Sequence, residues 1–554
     1  MLSFCIIYRG RAFSIAGSQG KHITKPRDDA AAARFVPRRR TFVLVACLTC
    51  LAVCFAAPAL AAPATQPARY FGIEVVDDQT GRGVPLVELK TVANVRYYTD
   101  SAGLAAIDDP VLMGKPAFFF VASHGYEFPP DGFGNRGARL DVKAGGFARL
   151  KIKRINIAQR LYRLTGEGIY RDSVMLGRPT PIRQPLLDAQ VSGQDSALAA
   201  VYRGRIRWFF GDTLRPSYPL GQYWTSGATS QLPADGGLDP SVGVNLDYFV
   251  DDAGFSRGVL PREKGPSWLD GLMVLKDDAG NDRMIAKCSL MKSLGECVGR
   301  KLVVWNDRAQ RFDYLLDIPL TQPLYPAGHP FRVQADGQSW FYFGQCFPNM
   351  RVPADWKSVR DLSAYEAFTC LAPGSRFDKE TPKLDRDAAG RLIWGWKKNT
   401  AALEGGQISR LIKSGKLKAD DVWFHPVDVE THKPLALEMG SVSYNAFAKK
   451  WIMIAGQKGG DSSFLGEIYF AQSPRPEGPW PWARKIVTHN QYSFYNPVHH
   501  DFFDQQGGRV IYFQGTYTAT FSRTTHPTPR YEYNQIMYRL DLDDPRLKWP
   551  APEK

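Results

Sequence analysis

The chain repeats one pattern five times: a strand, a turn rich in Gly, Asp, Asn or Gln, and a second strand crowded with aromatic residues. The second strands are predicted at residues 206–213, 283–288, 339–346, 450–457 and 509–516. Between about residues 165 and 545, each repeat has roughly 75 residues, which is enough for four strands and long loops. Repeated four-stranded sheets are typical of a β-propeller, so we predict five blades. An irregular β-sandwich or two smaller β-domains are the alternatives.

Two aspartates in the first repeat point to chemistry. If residues 193–213 form a hairpin that turns at Arg203-Gly204, opposed residues have numbers that sum to 407, and Asp195 faces Asp212. Directly opposed residues have Cβ atoms roughly 4.5–5.5 Å apart, where like charges repel. Such a pair raises one pKa and supplies an acid and a base at neutral pH. The alternative is that both residues only cap strand ends.

The same hairpin rule predicts which residues open the innermost strands of the other four blades. These are Asp270, His329 opposite Gly344, Glu438 opposite Gly456, and His499 near Gln514. The strand starts of a propeller converge on its axis, so three carboxylates and two imidazoles would surround one pocket. Aromatic residues suited to stacking on sugar rings would line its rim, namely Tyr223, Trp224, Trp268, Phe347 and Tyr495.

Each of these residues also has a simpler interpretation. Asp270 precedes Gly271 and could belong to a plain turn, and His329 could be a satisfied core histidine. Glu438 depends on the register, because a slip of one residue would move it to the other face. His499 and His500 are adjacent on a strand and point to opposite faces, so at most one enters the pocket. We predict no required cofactor and no catalytic metal, and a structural Ca²⁺ near the axis at His499 is an open alternative.

A separate β-rich unit is predicted over residues 69–160, after a short linker at 62–68. Strands are expected at 70–76, 85–91, 95–99, 117–122 and 148–155. The segments 77–85 and 99–103 (Thr-Asp-Ser-Ala-Gly) resemble the carboxypeptidase-regulatory, transthyretin-like β-sandwich. Because such domains are accessory, the resemblance implies no chemistry here.

The first 61 residues are typical of an export leader. Arg38, Arg39 and Arg40 precede an apolar run at 41–57 and then Ala59-Leu60-Ala61, where we expect cleavage. The alternative is a single membrane anchor, since the run is about as long as the shortest spans. We therefore predict export to the periplasm or the extracellular space, with no membrane span after cleavage.

The charge and the cysteines restrict the possible partners. The net charge is +15, but nine Lys/Arg and two Asp of the leader account for +7 and leave +8. This allows an acidic glycan and, without a basic aromatic tract, does not suggest nucleic acid. Four cysteines follow the leader, and we expect local disulfides Cys288–Cys297 and Cys346–Cys370. We expect a monomer.

A second resemblance covers residues 165–545. The Phe-Gly-Asp-Thr at 210–213, Gly-Glu-Ile-Tyr-Phe-Ala at 466–471 and Ser-Pro-Arg-Pro-Glu-Gly-Pro-Trp at 473–480 are similar to five-bladed propeller glycoside hydrolases. The nearer relatives are arabinan-degrading propellers, long described as a domain of unknown function, and the more distant ones are family 43-like enzymes. A long polar stretch at 347–432, read as an insertion between blades three and four with a short helix within 401–417, departs from this pattern.

The resemblance implies glycoside hydrolysis, with two conflicting assignments of its residues. By the family 43-like pattern Asp195 is the base, Asp270 tunes the pKa and Glu438 is the acid, with inversion as the expected outcome. By the nearer relatives Asp195 and Asp212 form the catalytic couple. The substrate would be an arabinan-like or acidic glycan, with Trp224, Trp268, His329, Tyr495 and His499 as binding residues. The rival functions are a polysaccharide lyase that uses His499 and Tyr495, and a propeller that binds glycans without cleaving them.

Overall fold

The computed structural model describes residues 69–293, 295–524 and 526–549. The predicted leader and linker lie outside the described residues. Within those residues, no helix is both long enough and apolar enough to cross a membrane.

Two four-stranded sheets form the N-terminal part. Their strands are β1 Phe71–Asp77, β2 Glu88–Thr91, β3 Arg96–Tyr98, β4 Leu104–Ile107, β5 Lys115–Ala122, β6 Tyr126–Glu127, β7 Gly137–Val142 and β8 Phe147–Arg154. The sheet orders are β4-β1-β8-β6 and β3-β2-β5-β7. Alternate residues such as Ile73, Leu89 and Phe119 lie in one cluster shared by both sheets. The sequence predicted β1, β2, β3, β5 and β8 and missed β4, β6 and β7. The family resemblance of this part stays a prediction.

The remainder of the described chain is built mainly of sheets. Its first strands are β9 Gln159–Arg163, β10 Gly193–Gln194, β11 Ala197–Tyr202, β12 Arg205–Phe210, β13 Thr213–Arg215, β14 Tyr218–Gln222, β15 Ser226–Gln231, β16 Asp247–Tyr248, β17 Ser267–Lys276, β18 Asp282–Ser293, β19 Glu296–Asn306 and β20 Arg311–Ile318, with helix α1 at Arg171–Met175. The later strands are β21 Phe331–Ala335, β22 Gln338–Phe343, β23 Met350–Pro353, β24 Glu366–Thr369, β25 Gly395–Lys398, β26 Phe424–Asp428, β27 Leu437–Asn445, β28 Lys450–Gln457, β29 Ile468–Ser473, β30 Trp480–Val487, β31 Ser493–His499, β32 Val510–Thr518 and β33 Asn534–Asp541, with helix α2 at Gly405–Lys413.

Five of these sheets follow one another along the chain. Their orders are β11-β12-β15-β16, β17-β18-β19-β20, β21-β22-β23-β24-β25, β27-β28-β29-β30-β26 and β31-β32-β33-β9. A sixth, small sheet of β10, β13 and β14 extends from the first one. All five predicted aromatic strands are the second strands of these sheets, namely β12, β18, β22, β28 and β32.

The five sheets are joined in a cycle by their hydrophobic clusters. Each cluster combines residues of two neighbouring sheets: Phe209 with Met284, Ile285 with Phe341, Phe368 with Met453, Ile454 with Phe513, and Tyr512 with Trp208. Consecutive residues such as Tyr512 and Phe513 belong to different clusters because successive side chains of a strand point to opposite faces. The second strands are therefore buried on both faces, which explains their uninterrupted apolar sequences. This cyclic order of sheets is that of a five-bladed β-propeller.

The ring closes through a strand from the beginning of this region. Strand β9 pairs with β33 in the last sheet, with Met537 opposite Tyr162. Residues 159–163 lie at the boundary of the two domains that the sequence predicts. The last sheet therefore takes its outermost strand from the N-terminal side, and backbone hydrogen bonds hold the two ends of this region together.

The prediction of an insertion at residues 347–432 is wrong. This stretch contains β23, β24 and β25 of the third sheet and β26 of the fourth, and α2 lies between them, inside the predicted 401–417. The strands were missed because they are short, outer strands without apolar runs. A capping box of Glu404 and Gln407 begins α2, and Ile408 and Leu411 are buried in the cluster between the third and fourth sheets.

The predicted disulfides are absent from the described residues, in which Cys288, Cys297, Cys346 and Cys370 are free. In the second sheet Cys288 lies opposite Lys301, whereas Cys297 lies opposite Met291. The Cys346 thiol contacts the Met453 sulfur at 3.4 Å. The register of β18 and β19 therefore keeps the first pair of cysteines apart, and closeness in sequence was a poor guide.

Candidate functional site

The predicted pairing of Asp195 and Asp212 is present. Opposed residues sum to 407 on both sides of the pair, with Ala197 opposite Phe210 and Gln194 opposite Thr213. The Asp195 amide donates to the Asp212 carbonyl at 3.2 Å. The two carboxyl groups therefore lie at the junction between the first propeller sheet and its three-stranded extension.

The backbone is irregular at this junction, and the irregularity serves the Asp195 side chain. Ser196 has a φ of +35°, outside the range of a regular strand. The Asp195 Oδ1 atom takes the place of a backbone acceptor and receives the Asp212 amide at 2.9 Å. A Cβ atom on Gly211 would lie 1.9 Å from that same oxygen, so only glycine leaves room for the Asp195 carboxyl group.

The surroundings of the two carboxyl groups give them different pKa values. Burial raises the pKa of Asp195 to about 6, while hydrogen bonds from Tyr533, Tyr495 and the Asp212 amide oppose the rise. Burial and the neighbouring Asp195 raise the pKa of Asp212 further, to about 8, and a polar contact from Trp268 opposes this. The Asp212 Oδ1 atom is buried without a hydrogen-bond partner. Asp212 is thus the member of the pair that keeps a proton at neutral pH.

Aromatic residues from other sheets surround the pair. The Tyr495 hydroxyl donates to Asp195 Oδ2 at 3.1 Å, and Trp268 approaches Asp212 from the second sheet. Burial and Asp195 raise the pKa values of the Tyr495 and Tyr533 hydroxyls well above their ordinary range, so both remain donors. Sequence reasoning identified Trp268 and Tyr495 but missed Tyr533. Its only sequence signal is its position directly before the strand that pairs with β9.

Asp270 and Glu438 lie near the starts of their strands, as predicted, but each has a lysine partner. Asp270 forms an ion pair with Lys287 at 3.0 Å and accepts the Gly271 amide. Glu438 is opposite Gly456, as predicted, and forms an ion pair with Lys458 at 2.8 Å. Each of these two carboxyl groups therefore has a cation partner, which neither Asp195 nor Asp212 has among the described residues.

The prediction that His499 opens the fifth inner strand is wrong, because β31 begins at Ser493 and ends at His499. His499 is held by Ser443 at 2.8 Å and by Asp504 at 2.7 Å. It lies opposite Phe513, while Val498 faces Gln514. A register shift between Tyr495 and Val498 makes Tyr495, four residues earlier, the residue of β31 that reaches Asp195.

Two further predicted binding residues lie elsewhere around the ring. Burial lowers the pKa of His329 to about 4 and Asp270 opposes this, so His329 is a neutral neighbour of Asp270. Trp224 has Tyr223 beside it, with ring centroids 4.1 Å apart, and the Arg262 guanidinium 5.4 Å from its ring. Neither residue contacts the aspartate pair through any described hydrogen bond, and their roles stay predictions.

The described residues contain no group of three or more His, Cys, Asp or Glu side chains arranged to hold a metal ion. The buried His500 imidazole has the Gln514 side chain as its hydrogen-bonding neighbour. His500 packs on Trp208, with ring centroids 5.1 Å apart. The structural Ca²⁺ near the axis stays an alternative to the prediction that no cofactor is required.

A cavity of about 370 Å³ is lined by residues that lie close in sequence to the two aspartates. Its lining includes Ser192, three residues before Asp195, and Arg215, three residues after Asp212. Glu532, directly before Tyr533, also lines it. The segments that line the cavity are therefore continuous in sequence with those that carry Asp195, Asp212 and the hydroxyl donor Tyr533.

No family model and no curated protein matches the sequence. Solved structures with partial similarity include an exo-1,5-α-L-arabinanase from a bovine ruminal metagenomic library, 11% identical over 66% of this chain and 99% of its own, with a TM-score of 0.32. An exo-β-1,3-galactanase from Phanerochaete chrysosporium is 9% identical over 64% of this chain and 62% of its own, with a TM-score of 0.33. The arabinanase Arb43A of Bacillus subtilis is 9% identical over 63% and 94%, with a TM-score of 0.29. This chain therefore spans less than two thirds of the fungal galactanase.

Proposed function

We propose that this protein is a glycoside hydrolase in which Asp212 is the general acid and Asp195 is the base or nucleophile. One observation carries the proposal: two opposed, largely buried aspartates without a cation partner, one of which has an unpartnered carboxyl oxygen. Structural carboxylates are normally paired or fully hydrogen-bonded when buried. A pair of carboxyl groups whose environments separate their pKa values is the equipment that glycosidic bond cleavage requires.

In this mechanism the Asp212 proton passes to the glycosidic oxygen as the bond to the anomeric carbon breaks. Asp195 remains ionised because Tyr495, Tyr533 and the Asp212 amide donate to it. Asp195 either removes a proton from the water that attacks the anomeric carbon, or attacks that carbon itself to form a glycosyl-enzyme ester. In the second case water then cleaves the ester, and Asp212 takes up the proton of that water. Trp268, at the edge of the pair, is the aromatic surface proposed to stack on the sugar ring.

The stereochemistry of the product distinguishes the two residue assignments. Carboxyl groups about 5 Å apart favour retention, whereas roughly 6.5–9.5 Å leaves room for water and favours inversion. Asp195 and Asp212 are opposed on adjacent strands, which favours the short spacing. Glu438 lies on the fourth sheet, so its partnership with Asp195 would favour inversion, as the family 43-like resemblance implies.

The test is a digest of arabinans, galactans, uronate-containing polysaccharides and bacterial glycans with the mature protein. We expect cleavage by the wild type, loss of cleavage in Asp195→Asn and Asp212→Asn, and a smaller effect in Glu438→Gln. NMR of the first-formed anomer then reports retention or inversion. Equal activity of the wild type and both aspartate variants would refute the proposal, and binding without cleavage by all of them would indicate a glycan-binding propeller.

The remaining parts of the proposal are export, a glycan substrate and action as a monomer without a required cofactor. Export is supported by the leader-like sequence 38–61. A lyase mechanism with His499 as the base is not proposed, because Ser443 and Asp504 hold both ring nitrogens of His499. New absorbance near 235 nm during the digest would nevertheless reveal the unsaturated product of a lyase.

A further inference from the structure

The cavity beside the aspartate pair is bounded by the hairpin of β13 and β14. This hairpin belongs to the small sheet β10-β13-β14, which continues outward from the pair. Arg215 is the last residue of β13, so at about 3.3 Å per residue it lies roughly 10 Å along the strand from Asp212. The cavity lining and the aspartate pair are therefore neighbouring parts of the same chain segment.

Two arginines in the cavity form no ion pair. Among the described residues, no carboxylate lies within ion-pair distance of the guanidinium group of Arg215 or Arg530, and Arg530 acts on Asp172 only through a longer-range charge interaction. The buried Nε atom of Arg215 has no hydrogen-bond partner, and its guanidinium carbon lies 5.2 Å from the Phe255 ring. Arg530 is exposed, and its backbone carbonyl, not its side chain, accepts a bond from Arg163.

The two glutamates of the cavity already have donors from the protein. Glu532 accepts hydrogen bonds from the Tyr492 and Thr518 hydroxyls and from the Ala519 amide. Glu167 accepts the Ser192 hydroxyl at 3.1 Å. The groups left for a ligand are therefore chiefly guanidinium donors, and the cavity favours an acceptor with negative charge.

We propose that this cavity is a binding subsite for an anionic substituent of the glycan, a carboxylate or a sulfate, held by Arg215 and Arg530. Tyr218 at the hairpin tip, whose exposed fraction is 59%, supplies an aromatic surface for the neighbouring sugar. The inference rests on the proposed glycan substrate and narrows it to acidic glycans. It does not depend on which aspartate is the acid.

The test measures binding in the Asp195→Asn/Asp212→Asn double variant, so that no bond is cleaved whichever aspartate is the acid. The probes are trigalacturonate, a sulfated chondroitin disaccharide and neutral maltotriose, measured by calorimetry at 50 and 300 mM NaCl. We expect at least one anionic probe to bind at least fivefold more tightly than maltotriose, with affinity that falls as salt rises. Arg215→Gln and Arg530→Gln should each reduce that affinity at least fivefold, and comparison of the two anionic probes identifies the preferred group.

Arg183→Gln is the matched control, because it removes one positive charge at an arginine that is 61% exposed and pairs with Asp247 elsewhere. An equal loss of affinity in this control would overturn the proposal, as would equal binding of maltotriose or no binding of either anion. If Arg215→Gln lowers the thermal stability, Arg215→Lys, which keeps the charge but loses the planar fork, and Arg530→Gln decide the question. Because binding and cleavage are measured separately, failure of the subsite leaves the hydrolase proposal standing, and the reverse also holds.

Discussion

The carboxyl groups near the starts of the inner strands fall into two kinds. Asp270 and Glu438 each lie within 3.0 Å of a lysine nitrogen, whereas Asp195 and Asp212 face each other without a cation. The first arrangement is the ordinary way to satisfy a partly buried charge. The second raises the pKa values of both aspartates, which costs stability and is expected where chemistry requires it. The presence or absence of a lysine partner, more than the location near a strand start, therefore distinguishes the candidate catalytic residues from the structural ones.

The largest expected effect comes from replacing Asp212, the proposed general acid. Asp212→Asn should lower the rate of glycan cleavage about 10²–10⁴-fold, because an amide cannot donate a proton to the leaving oxygen. The same change should raise stability at neutral pH by roughly 1–3 kcal/mol, because the folded wild type must keep a proton on Asp212 that the unfolded chain releases, and an asparagine carries no such cost. Activity assays and thermal unfolding of the same preparations measure the two effects.

The pH dependence of that stabilisation follows from the sign of the pKa shift. The folded-state pKa of Asp212, about 8, is above its ordinary value of 3.8, so the folded protein binds the extra proton. The wild type therefore loses stability relative to Asp212→Asn as pH rises from about 4 to 8. A difference in melting temperature that is constant or shrinks over this range would contradict the assignment.

Breaking a paired carboxyl group should have the opposite effect on stability. Burial alone would lower the pKa of Lys287, but Asp270 and Tyr325 outweigh it and raise the pKa. Lys287→Met leaves Asp270 without its cation and should cost about 2–4 kcal/mol, measured by denaturant unfolding. Lys458→Met is the matched control: both partners of that pair are 29% exposed, so it should cost less than about 1 kcal/mol. Similar costs for the two variants would mean that burial does not distinguish the pairs.

A smaller effect is expected from the glycine that makes room for Asp195. In Gly211→Ala the new methyl group would meet Asp195 Oδ1, so the carboxyl group must move away from the Asp212 amide. Displacement of a catalytic group by about 1 Å should reduce the cleavage rate roughly 10- to 100-fold. Gly395→Ala, where a Cβ meets nothing within 4 Å, should leave the rate unchanged. An unaffected rate in Gly211→Ala would show that the position of Asp195 is unimportant for cleavage.

Local pairing was predictable from the sequence, and bulges were not. The 407 register of Asp195 and Asp212 was correct because a two-residue turn and two short strands determine it. The pairing of Glu438 with Gly456 was predicted correctly, but for the wrong reason. Near the turn the strands pair one residue away from the predicted register, with Asn445 opposite Lys450, and the bulge at Met439 compensates for this difference before Glu438. In the second sheet, a bulge next to Gly271 brings Lys287 opposite Asp270, so the ion pair was missed. Because of the bulge in β31, Tyr495 and not His499 is the residue that reaches Asp195. Such a bulge was not predictable, since an extra residue leaves no clear trace in hydrophobic periodicity.

The smallest effect tests how Asp195 and Asp212 keep different pKa values. The Tyr495 hydroxyl donates to Asp195 and lowers its pKa, in opposition to burial. In Tyr495→Phe the pKa of Asp195 should therefore rise, and the low-pH limb of the cleavage profile should move to higher pH by less than about one unit. The rate should fall several-fold near pH 5 and little near pH 7, because Tyr533 and the Asp212 amide still donate. Tyr444→Phe, at a side chain 54% exposed on β27, should leave the profile unchanged. A shift toward lower pH would mean that Asp195 is not the group that must be ionised, and that the acid and base assignments should be exchanged.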